Sequence, residues 1–293
     1  MMLTLSARPP FSLSTVLNSH GWIQLAPFSQ INDTVGFKYV DRLNTGQVVE
    51  MWIEETEDGV KVEVDAQLHE AERVEITRKI NWMLGLDQDF SAFYKMIQRE
   101  PKLASVEKRA QGRVLRSPTL FEDVVKTILT TNTSWAGTIR MVENLVSQFG
   151  SVLPTNQERF AFPSPEQLAA ADIDTLRTQT RLGYRAPYVH ELANSIASGD
   201  FDLEALKTAE LTNLELRKQL LAIKGVGDYA AANLLMLLGR YDYIPVDSWA
   251  TKMVSHEWYG GEPIDSNQVE AAFEHWEDWK GLVFWFWDWS YSS

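Results

Sequence analysis

Residues 220–233 contain two glycines in a short turn that separates two helical patterns. The first pattern ends at Ile223, and the second begins directly after Gly225-Val226-Gly227. Glycine tolerates positive φ and has no side chain, so such a turn leaves backbone N–H groups open at the start of the next helix. Those N–H groups form an anion site that suits a phosphate. On these residues alone, a plain corner between two helices is an equally good interpretation. The apolar residues predicted to pack the two helices together are Leu220, Ile223, Val226, Ala230 and Leu234.

A second feature follows twenty residues after Gly227, where the sequence reads Pro245-Val246-Asp247. Pro245 prevents the preceding helix from continuing, and Asp247 stands where it would cap the next one. An N-cap aspartate stabilises a helix by about 1 kcal/mol and needs no other role. The combination of this aspartate with the glycine turn indicates a functional role in addition to a structural one.

The turn at 223–229 and the Pro245-Val246-Asp247 element together resemble the helix-hairpin-helix (HhH-GPD) DNA glycosylases in order and spacing. That superfamily includes 3-methyladenine DNA glycosylase II and 8-oxoguanine DNA glycosylase. The segment 182–186 (Leu-Gly-Tyr-Arg-Ala) is similar to one in the 8-oxoguanine branch, and 128–132 (Ile-Leu-Thr-Thr-Asn) is similar to the end of a helix in the family. The resemblance covers residues 110–260 well and the first hundred residues more loosely.

The resemblance implies that Asp247 is the catalytic carboxylate of a glycosylase that acts on a damaged base in double-stranded DNA. Cleavage of an N-glycosidic bond passes through an oxocarbenium-like sugar, whose positive charge a carboxylate stabilises. The same carboxylate can serve as the general base for an attacking water. The family comparison leaves open which of the two roles dominates.

Position 229 departs from the bifunctional members, which carry a lysine there that forms a Schiff base with C1′. This chain has Tyr229, whose phenol cannot form an imine, and Lys224 lies before the turn. The resemblance therefore implies a monofunctional enzyme, with no β-lyase activity, that leaves an abasic site. Tyr229 is expected to line the base pocket, although a core tyrosine under the hairpin is an equal alternative.

The family pattern also assigns residues that contact DNA. Lys224, Gly225, Val226 and Gly227 are expected to meet the phosphate backbone. Extrusion of a base leaves a gap in the duplex. Tyr184 is expected to fill that gap, and Arg185 and Asn132 to hydrogen-bond the orphaned partner base.

Two further expectations come from the family. Main-chain carbonyls of Leu221, Ile223 and Val226 are predicted to hold a Na⁺ or K⁺ ion at the hairpin, with no other cofactor required. The C-terminal segment is rich in aromatic residues, from Trp276 to Tyr291, and Trp285 is assigned to the base pocket. Electron-rich rings stack well on electron-poor alkylated bases. Packing within the core is the stronger alternative for any single one of these rings.

Composition sets the remaining limits. The 293 residues include no cysteine, which excludes disulfides and thiol nucleophiles. The formal net charge is −13, and residues 254–293 carry eight acidic side chains against Lys280 alone. Bulk acidity weighs against a nucleic-acid partner, but screening limits each charge to about 8–10 Å. The apolar run at 282–287 is too short to span a bilayer. We expect a cytoplasmic monomer with no membrane association.

The predicted fold class is α+β. Strands at 35–42, 47–55 and 60–64 alternate with turn signals, and they predict an antiparallel sheet with helices in residues 1–108. The resemblance makes this domain similar to the TATA-binding-protein fold. Residues 109–293 are predicted to form a mostly helical HhH glycosylase domain with a C-terminal aromatic helix. Its first helix is expected to begin with Ser117 as the N-cap and Pro118 at the first helical position.

The function implied is hydrolytic release of a damaged purine, with an alkylated purine as the first choice. The absent lysine and the aromatic C-terminal segment favour that choice. An oxidised purine is the alternative, because residues 182–186 resemble the 8-oxoguanine branch. A protein that binds lesions without catalysis is a further alternative, which the acidic C-terminal segment favours.

Overall fold

The computed structural model describes residues 1–31 and 33–289 as a sheet and a succession of helices. The strands are β1 (Met2–Ser6), β2 (Phe28–Gln30), β3 (Gly36–Arg42), β4 (Val48–Thr56), β5 (Gly59–Val64), β6 (Val152–Leu153) and β7 (Asn156–Phe160). The helices are α1 (Leu13–Leu17), α2 (Glu70–Leu84), α3 (Ser91–Ile97), α4 (Leu120–Thr130), α5 (Trp135–Phe149), α6 (Pro165–Ala169), α7 (Ile173–Thr178), α8 (Ala186–Ala197), α9 (Asn213–Leu221), α10 (Asp228–Leu237), α11 (Ser248–Trp258), α12 (Ser266–Phe273) and α13 (Lys280–Phe286). Short 3-10 helices lie at Gly21–Gln24, Pro101–Leu103, Gly183–Arg185, Glu204–Lys207 and Glu274–Trp279.

The N-terminal sheet has the strand order β1-β5-β4-β3-β2, and all neighbouring strands are antiparallel. The three predicted strands are confirmed to within a single residue at each end. The sequence does not predict the edge strands, because β1 contains no fully buried residue and β2 has only three residues. β1 alternates only between exposed and half-buried positions, and β2 is too short to show a period of two. The predicted α+β fold class is confirmed.

Helix α2 places Ile76, Ile80 and Met83 in the core, as their spacing predicts. The same helix buries Lys79, whose ammonium group lies 2.7 Å from Asp41 and 2.8 Å from Glu75. A buried lysine requires such partners, because an unpaired charge in the protein interior is costly.

Helix α4 begins later than the sequence predicts. Its N-cap is Thr119, whose hydroxyl accepts a hydrogen bond from the Glu122 N–H at 3.2 Å, so the assignment of Ser117 as the cap is wrong. The Ser117 N–H instead donates to the buried carboxylate of Asp123 at 2.9 Å. The Trp22 indole donates to the same oxygen at 2.8 Å. The Ser117 hydroxyl accepts a hydrogen bond from the buried ammonium of Lys126 at 3.4 Å rather than from a helix N–H, which sequence alone does not reveal.

The chain forms two compact units that interleave along the sequence. One unit comprises Met1–Gln88 and Arg113–Lys207, and the other comprises Asp89–Gly112 and Thr208–Ser293. The predicted domain boundary at residues 108 and 109 falls inside the segment 89–112, which groups with the C-terminal unit. The division into domains at that boundary stays a prediction. Within the described residues, no helix is both long and apolar enough to cross a membrane.

Candidate active site

The predicted hairpin is present between α9 and α10. Gly225 has a φ of +88°, in the left-handed region that favours glycine. Gly227 is the N-cap of α10 with extended backbone. The five apolar residues predicted to join the helices are all buried. Both glycines are thus placed in a tight turn whose underside is packed by side chains from the two helices.

The outer side of the hairpin is open. A Cβ atom added to Gly227 would meet no heavy atom within 4 Å among the described residues, so packing does not require a glycine there. Gly227, Asp228 and Tyr229 are all exposed at the start of α10. Open N–H groups in front of a residue without a side chain allow another molecule to approach the backbone closely. This geometry suits a phosphate group.

The remaining hairpin assignments concern Lys224 and the cation. Lys224 is exposed in the turn. The Ile223 carbonyl accepts the Val226 N–H at 3.0 Å and keeps a second lone pair. In the part of the chain described, the carbonyls of Leu221 and Val226 accept no backbone hydrogen bond within the turn. These oxygen donors fit a monovalent cation, whose presence stays a prediction.

Asp247 is the N-cap of α11. Its Oδ1 accepts a hydrogen bond from the Ala250 N–H at 2.8 Å, and its main-chain carbonyl accepts the Thr251 hydroxyl at 2.9 Å. The side chain is exposed. Among the described residues no group donates to Oδ2. The cap therefore fixes the direction of the carboxylate and leaves one oxygen available for a reacting molecule.

Tyr229 lies close enough to Asp247 for the charge of that carboxylate to affect its phenol. Partial burial raises the pKa of the Tyr229 phenol, and the negative charge of Asp247 raises that pKa further. The ring remains 37% exposed. The phenol is therefore neutral at physiological pH.

Trp249 is a site residue that the sequence analysis misses. It follows Asp247 by two positions and is 49% exposed. Its ring packs edge-on against Phe284 and Trp289, at centroid distances of 6.3 and 5.6 Å. The available signal is helical spacing: α11 buries positions 250, 253 and 254, which leaves Trp249 on the exposed side. A large exposed aromatic ring beside a carboxylate is a surface on which a planar base can stack.

The other aromatic residues of the C-terminal segment divide between core and surface. Trp276 and Trp287 are buried, and Trp279 stacks on Tyr241 with ring centroids 5.5 Å apart. Trp285 is half-buried on α13, and its place in a base pocket stays a prediction. Tyr291 lies outside the described residues. Trp276, Trp279 and Trp287 therefore contribute to packing within the protein.

Asn132 and Tyr184 contact each other in the other compact unit. Asn132 has a φ of +48°, and its side-chain amide donates to the Tyr184 hydroxyl at 3.4 Å. Tyr184 is 51% exposed and follows Gly183, whose φ is +59°. The hydrogen bond from Asn132 is the main cause that lowers the pKa of Tyr184. Two residues that are distant in sequence thus form one exposed pair. Both belong to the group of residues predicted to contact DNA around the extruded base.

Arg185 is positioned differently from what a base contact needs. The residue is only 6% exposed, and Nη2 donates to the main-chain carbonyls of Thr131 and Asn132. Its guanidinium also lies 4.5 Å from the centre of the Tyr184 ring. Hydrogen bonding by Arg185 to an orphaned base stays a prediction, and it would require these bonds to be exchanged. In this structure Arg185 holds the loop that carries Asn132.

The hairpin, Asp247, Tyr229, Trp249 and Trp285 belong to one compact unit, and Asn132, Tyr184 and Arg185 belong to the other. In the first unit the Asp247 carboxylate affects the phenol of Tyr229, and in the second Arg185 contacts both Asn132 and Tyr184. No group of three or more His, Asp or Glu side chains suited to a metal ion occurs in residues 1–31 and 33–289.

Comparison with known proteins gives a match to one family model, described as "HhH-GPD superfamily base excision DNA repair protein", over residues 125–278. DNA-3-methyladenine glycosylase of Bacillus subtilis is 28% identical over 178 residues, which cover 60% of this chain and 58% of that protein. A probable N-glycosylase/DNA lyase of Methanothermobacter thermautotrophicus is 25% identical, with 67% of this chain and 69% of that protein covered. The chain therefore spans 58% of the length of the first of these relatives.

Solved structures share the fold. The 3-methyladenine DNA-glycosylase of Archaeoglobus fulgidus superposes with a TM-score of 0.76 at 22% identity, over 98% of this chain and 97% of that one. The 8-oxoguanine glycosylase/lyase of Clostridium acetobutylicum, solved with double-stranded DNA, gives a TM-score of 0.73 at 19% identity, over 95% and 91% of the two chains. Both the N-terminal sheet and the helical part of this chain therefore have counterparts in one fold.

Proposed function

Because the chain belongs to the HhH-GPD superfamily of base excision DNA repair proteins, we propose that it is a DNA glycosylase that releases a damaged base from double-stranded DNA. The observation that carries this proposal is the arrangement within one compact unit: a capped, exposed carboxylate at Asp247, the adjacent phenol of Tyr229 and the open hairpin around Gly227. A hairpin for the phosphate and a carboxylate for the sugar are the two elements that the reaction needs.

The proposed reaction is hydrolysis. As the bond between C1′ and the base nitrogen breaks, its electron pair leaves with the base, and the free oxygen of Asp247 stabilises the positive charge on the sugar. Water then adds to C1′ and loses its proton to Asp247 or to solvent. A cationic alkylated purine leaves as a neutral base, whereas a damaged base that is neutral in DNA takes up a proton as it leaves. Positioned acid–base catalysis of this kind contributes about 10²–10⁴-fold in rate.

We propose that the enzyme is monofunctional. A lyase needs an amine that attacks C1′ and forms an imine. The position beside Asp247 holds Tyr229, whose neutral phenol cannot do this. Of the two relatives, one is named a glycosylase and the other a glycosylase/lyase, so their names favour neither outcome.

The proposed substrate is an alkylated purine. Alkylation at a ring nitrogen gives the base a positive charge, which an electron-rich indole attracts. Trp249 offers an exposed indole two residues from Asp247, backed by Phe284 and Trp289. The 28% identity with a 3-methyladenine glycosylase supports the same choice.

An oxidised purine is the second candidate. The pairing of Asn132 with Tyr184 in the loop that resembles the 8-oxoguanine branch favours it.

A set of duplex oligonucleotides, each with one lesion, tests the proposal: a 3-methyladenine mimic, hypoxanthine, 1,N6-ethenoadenine, 8-oxoguanine or uracil. Half of each reaction is treated with alkali before electrophoresis. Breaks only after alkali, with the alkylated or deaminated purines, are the expected result. Breaks without alkali would contradict the monofunctional assignment, and release of 8-oxoguanine alone would favour the second candidate.

A further inference from the structure

One ion pair joins the two helices of the hairpin. Nη2 of Arg217, on α9, lies 2.5 Å from Oδ1 of Asp228, the first residue of α10. The Arg217 side chain is 26% exposed, and its guanidinium lies 5.2 Å from the centre of the Tyr243 ring. The Asp228 side chain is 83% exposed. Arg217 is thus the less exposed partner of the pair, and its guanidinium has a second contact in the ring of Tyr243.

Asp228 has an unfavourable position for a protein that binds DNA at this hairpin. Its carboxylate directly follows Gly227, at the helix start that a phosphate would occupy. A carboxylate in the first turn of a helix competes for the open N–H groups and repels a second anion. In this structure Gly227 supplies no capping side chain, and the Asp228 carboxylate that could take that role is bound to Arg217.

We propose that Arg217 is a positioning residue for the DNA backbone. By binding Asp228, it neutralises that carboxylate and holds it away from the N–H groups at the start of α10, so that a phosphate can take them. This inference rests on the proposed function and concerns the affinity of its hairpin for DNA. A purely structural ion pair between α9 and α10 is the alternative that the experiment has to exclude.

The test is a double-mutant cycle on binding of a duplex that contains an abasic-site analogue. The variants are Arg217→Gln, Asp228→Asn and both together, and affinity is measured between low and moderate salt. Arg217→Gln is expected to weaken binding about five- to tenfold at low salt, because an unpaired Asp228 then opposes the phosphate. Asp228→Asn is expected to bind at least as tightly as wild type.

Rescue is the diagnostic result. The double variant is expected to bind within about twofold of wild type, because the neutral amide introduced at position 228 no longer needs the arginine. Arg73→Gln is the matched control, since it removes the same charge from the surface ion pair with Glu70 on α2. Thermal unfolding of each variant, measured without DNA, reports how much the Arg217–Asp228 ion pair stabilises the folded protein.

Other outcomes would overturn the inference. Unchanged affinity in Arg217→Gln, or a double variant as weak as Arg217→Gln, would assign the pair to structure alone. If Arg217→Gln and Arg73→Gln weaken DNA binding equally, the loss of one positive charge from the protein explains the effect. If wild type binds the abasic analogue and releases bases while the cycle shows no rescue, the proposed function stands and this inference fails. If wild type neither binds nor releases bases, both fail.

Discussion

The guanidinium of Arg185 lies 4.5 Å from the centre of the Tyr184 ring, under a side chain that is itself 51% exposed. The same guanidinium donates to the carbonyl of Asn132 at 3.2 Å. One buried cation therefore supports both exposed residues of the pair. This arrangement separates the two exposed residues, which are predicted to contact DNA, from the buried residue that sets their geometry.

Arg185→Lys tests this division of roles. Lysine keeps the charge but loses the planar fork that reaches two carbonyls, so we expect the free energy of unfolding to fall by about 1–3 kcal/mol. Discrimination between bases opposite the lesion is expected to fall as well. Asn132→Ala should lose the same discrimination with a stability loss of about 1 kcal/mol, because the exposed Asn132 has a φ of +48°, which alanine adopts less readily than asparagine.

The measurement is the rate of base release with cytosine or thymine opposite the lesion, together with denaturant unfolding of each variant. If Arg185 acts through Asn132, the double variant should discriminate no worse than Asn132→Ala. A loss in Arg185→Lys that is absent from Asn132→Ala would instead show direct contact between Arg185 and the base.

The buried side chains of Asp123 and His20, which belong to the same compact unit, should make the stability of the protein depend on pH in opposite directions. Burial raises the pKa of Asp123 to about 6, and burial lowers the pKa of His20 to about 4. The folded state therefore holds a proton on Asp123 that the unfolded state releases above its ordinary pKa of 3.8. Stability from Asp123 is complete below that value and is lost as the pH rises through about 6, with a total of about 3 kcal/mol.

His20 acts in the reverse direction. The unfolded state takes up a proton below the ordinary pKa of 6.5, and the folded state resists it down to about 4. Stability from His20 is complete above 6.5 and falls by up to about 3 kcal/mol as the pH drops. In wild type the two contributions offset each other over this range.

Single variants should separate the two contributions. Relative to wild type, we expect Asp123→Asn to gain stability as the pH rises from 4 to 6.5, and His20→Gln to lose stability over the same range. Urea unfolding at several pH values measures both differences. If both variants change in the same direction with pH, the opposite contributions of Asp123 and His20 are refuted.

The residue at position 229 decides whether a covalent intermediate can form. Borohydride trapping of wild type with lesion DNA should give no cross-linked product, because Tyr229 has no amine. Tyr229→Lys places an amine beside Asp247 and should produce a trapped adduct. Tyr229→Phe should release the base without trapping, and it serves as the control for loss of the phenol. Trapping in wild type would mean that another amine reaches C1′.

Trp249 is expected to contribute to the affinity for the extruded base more than to binding of undamaged duplex. Stacking of a base on an aromatic ring contributes about 1–3 kcal/mol, so Trp249→Ala should lower single-turnover base release by about 5- to 100-fold. Trp249→Phe should retain most of the activity. Equal losses in binding to undamaged DNA would assign Trp249 to the duplex rather than to the base.

The sequence predicts the features that are set locally. The hairpin follows from Gly225 and Gly227, and the central strands follow from alternation between turn signals. The cap at Asp247 follows from Pro245 and the helix after it. Each of these depends on residues within one short segment, which is why a single sequence suffices.

The features that sequence misses depend on partners far along the chain. The Ser117 N–H shares the Asp123 carboxylate with the indole of Trp22, a residue 101 positions before Asp123, while Thr119 caps the helix. Arg185 is buried because the carbonyls of Thr131 and Asn132, more than fifty residues earlier, accept its hydrogen bonds. The rings that pack against Trp249, those of Phe284 and Trp289, come from a later helix and the segment after it. No local pattern reports such contacts.

Asp247→Asn is the most direct test of the proposed function. Asparagine caps helices as well as aspartate does, so the folded state should keep its stability to within about 0.5 kcal/mol, whereas Asp247→Ala should lose about 1 kcal/mol. The measurement is single-turnover base release from the preferred lesion duplex, with an abasic-analogue duplex as the binding control. We expect Asp247→Asn to bind the analogue but to release the base at least about 10²-fold more slowly than wild type. Release at the wild-type rate would contradict the assignment of Asp247 as the catalytic carboxylate.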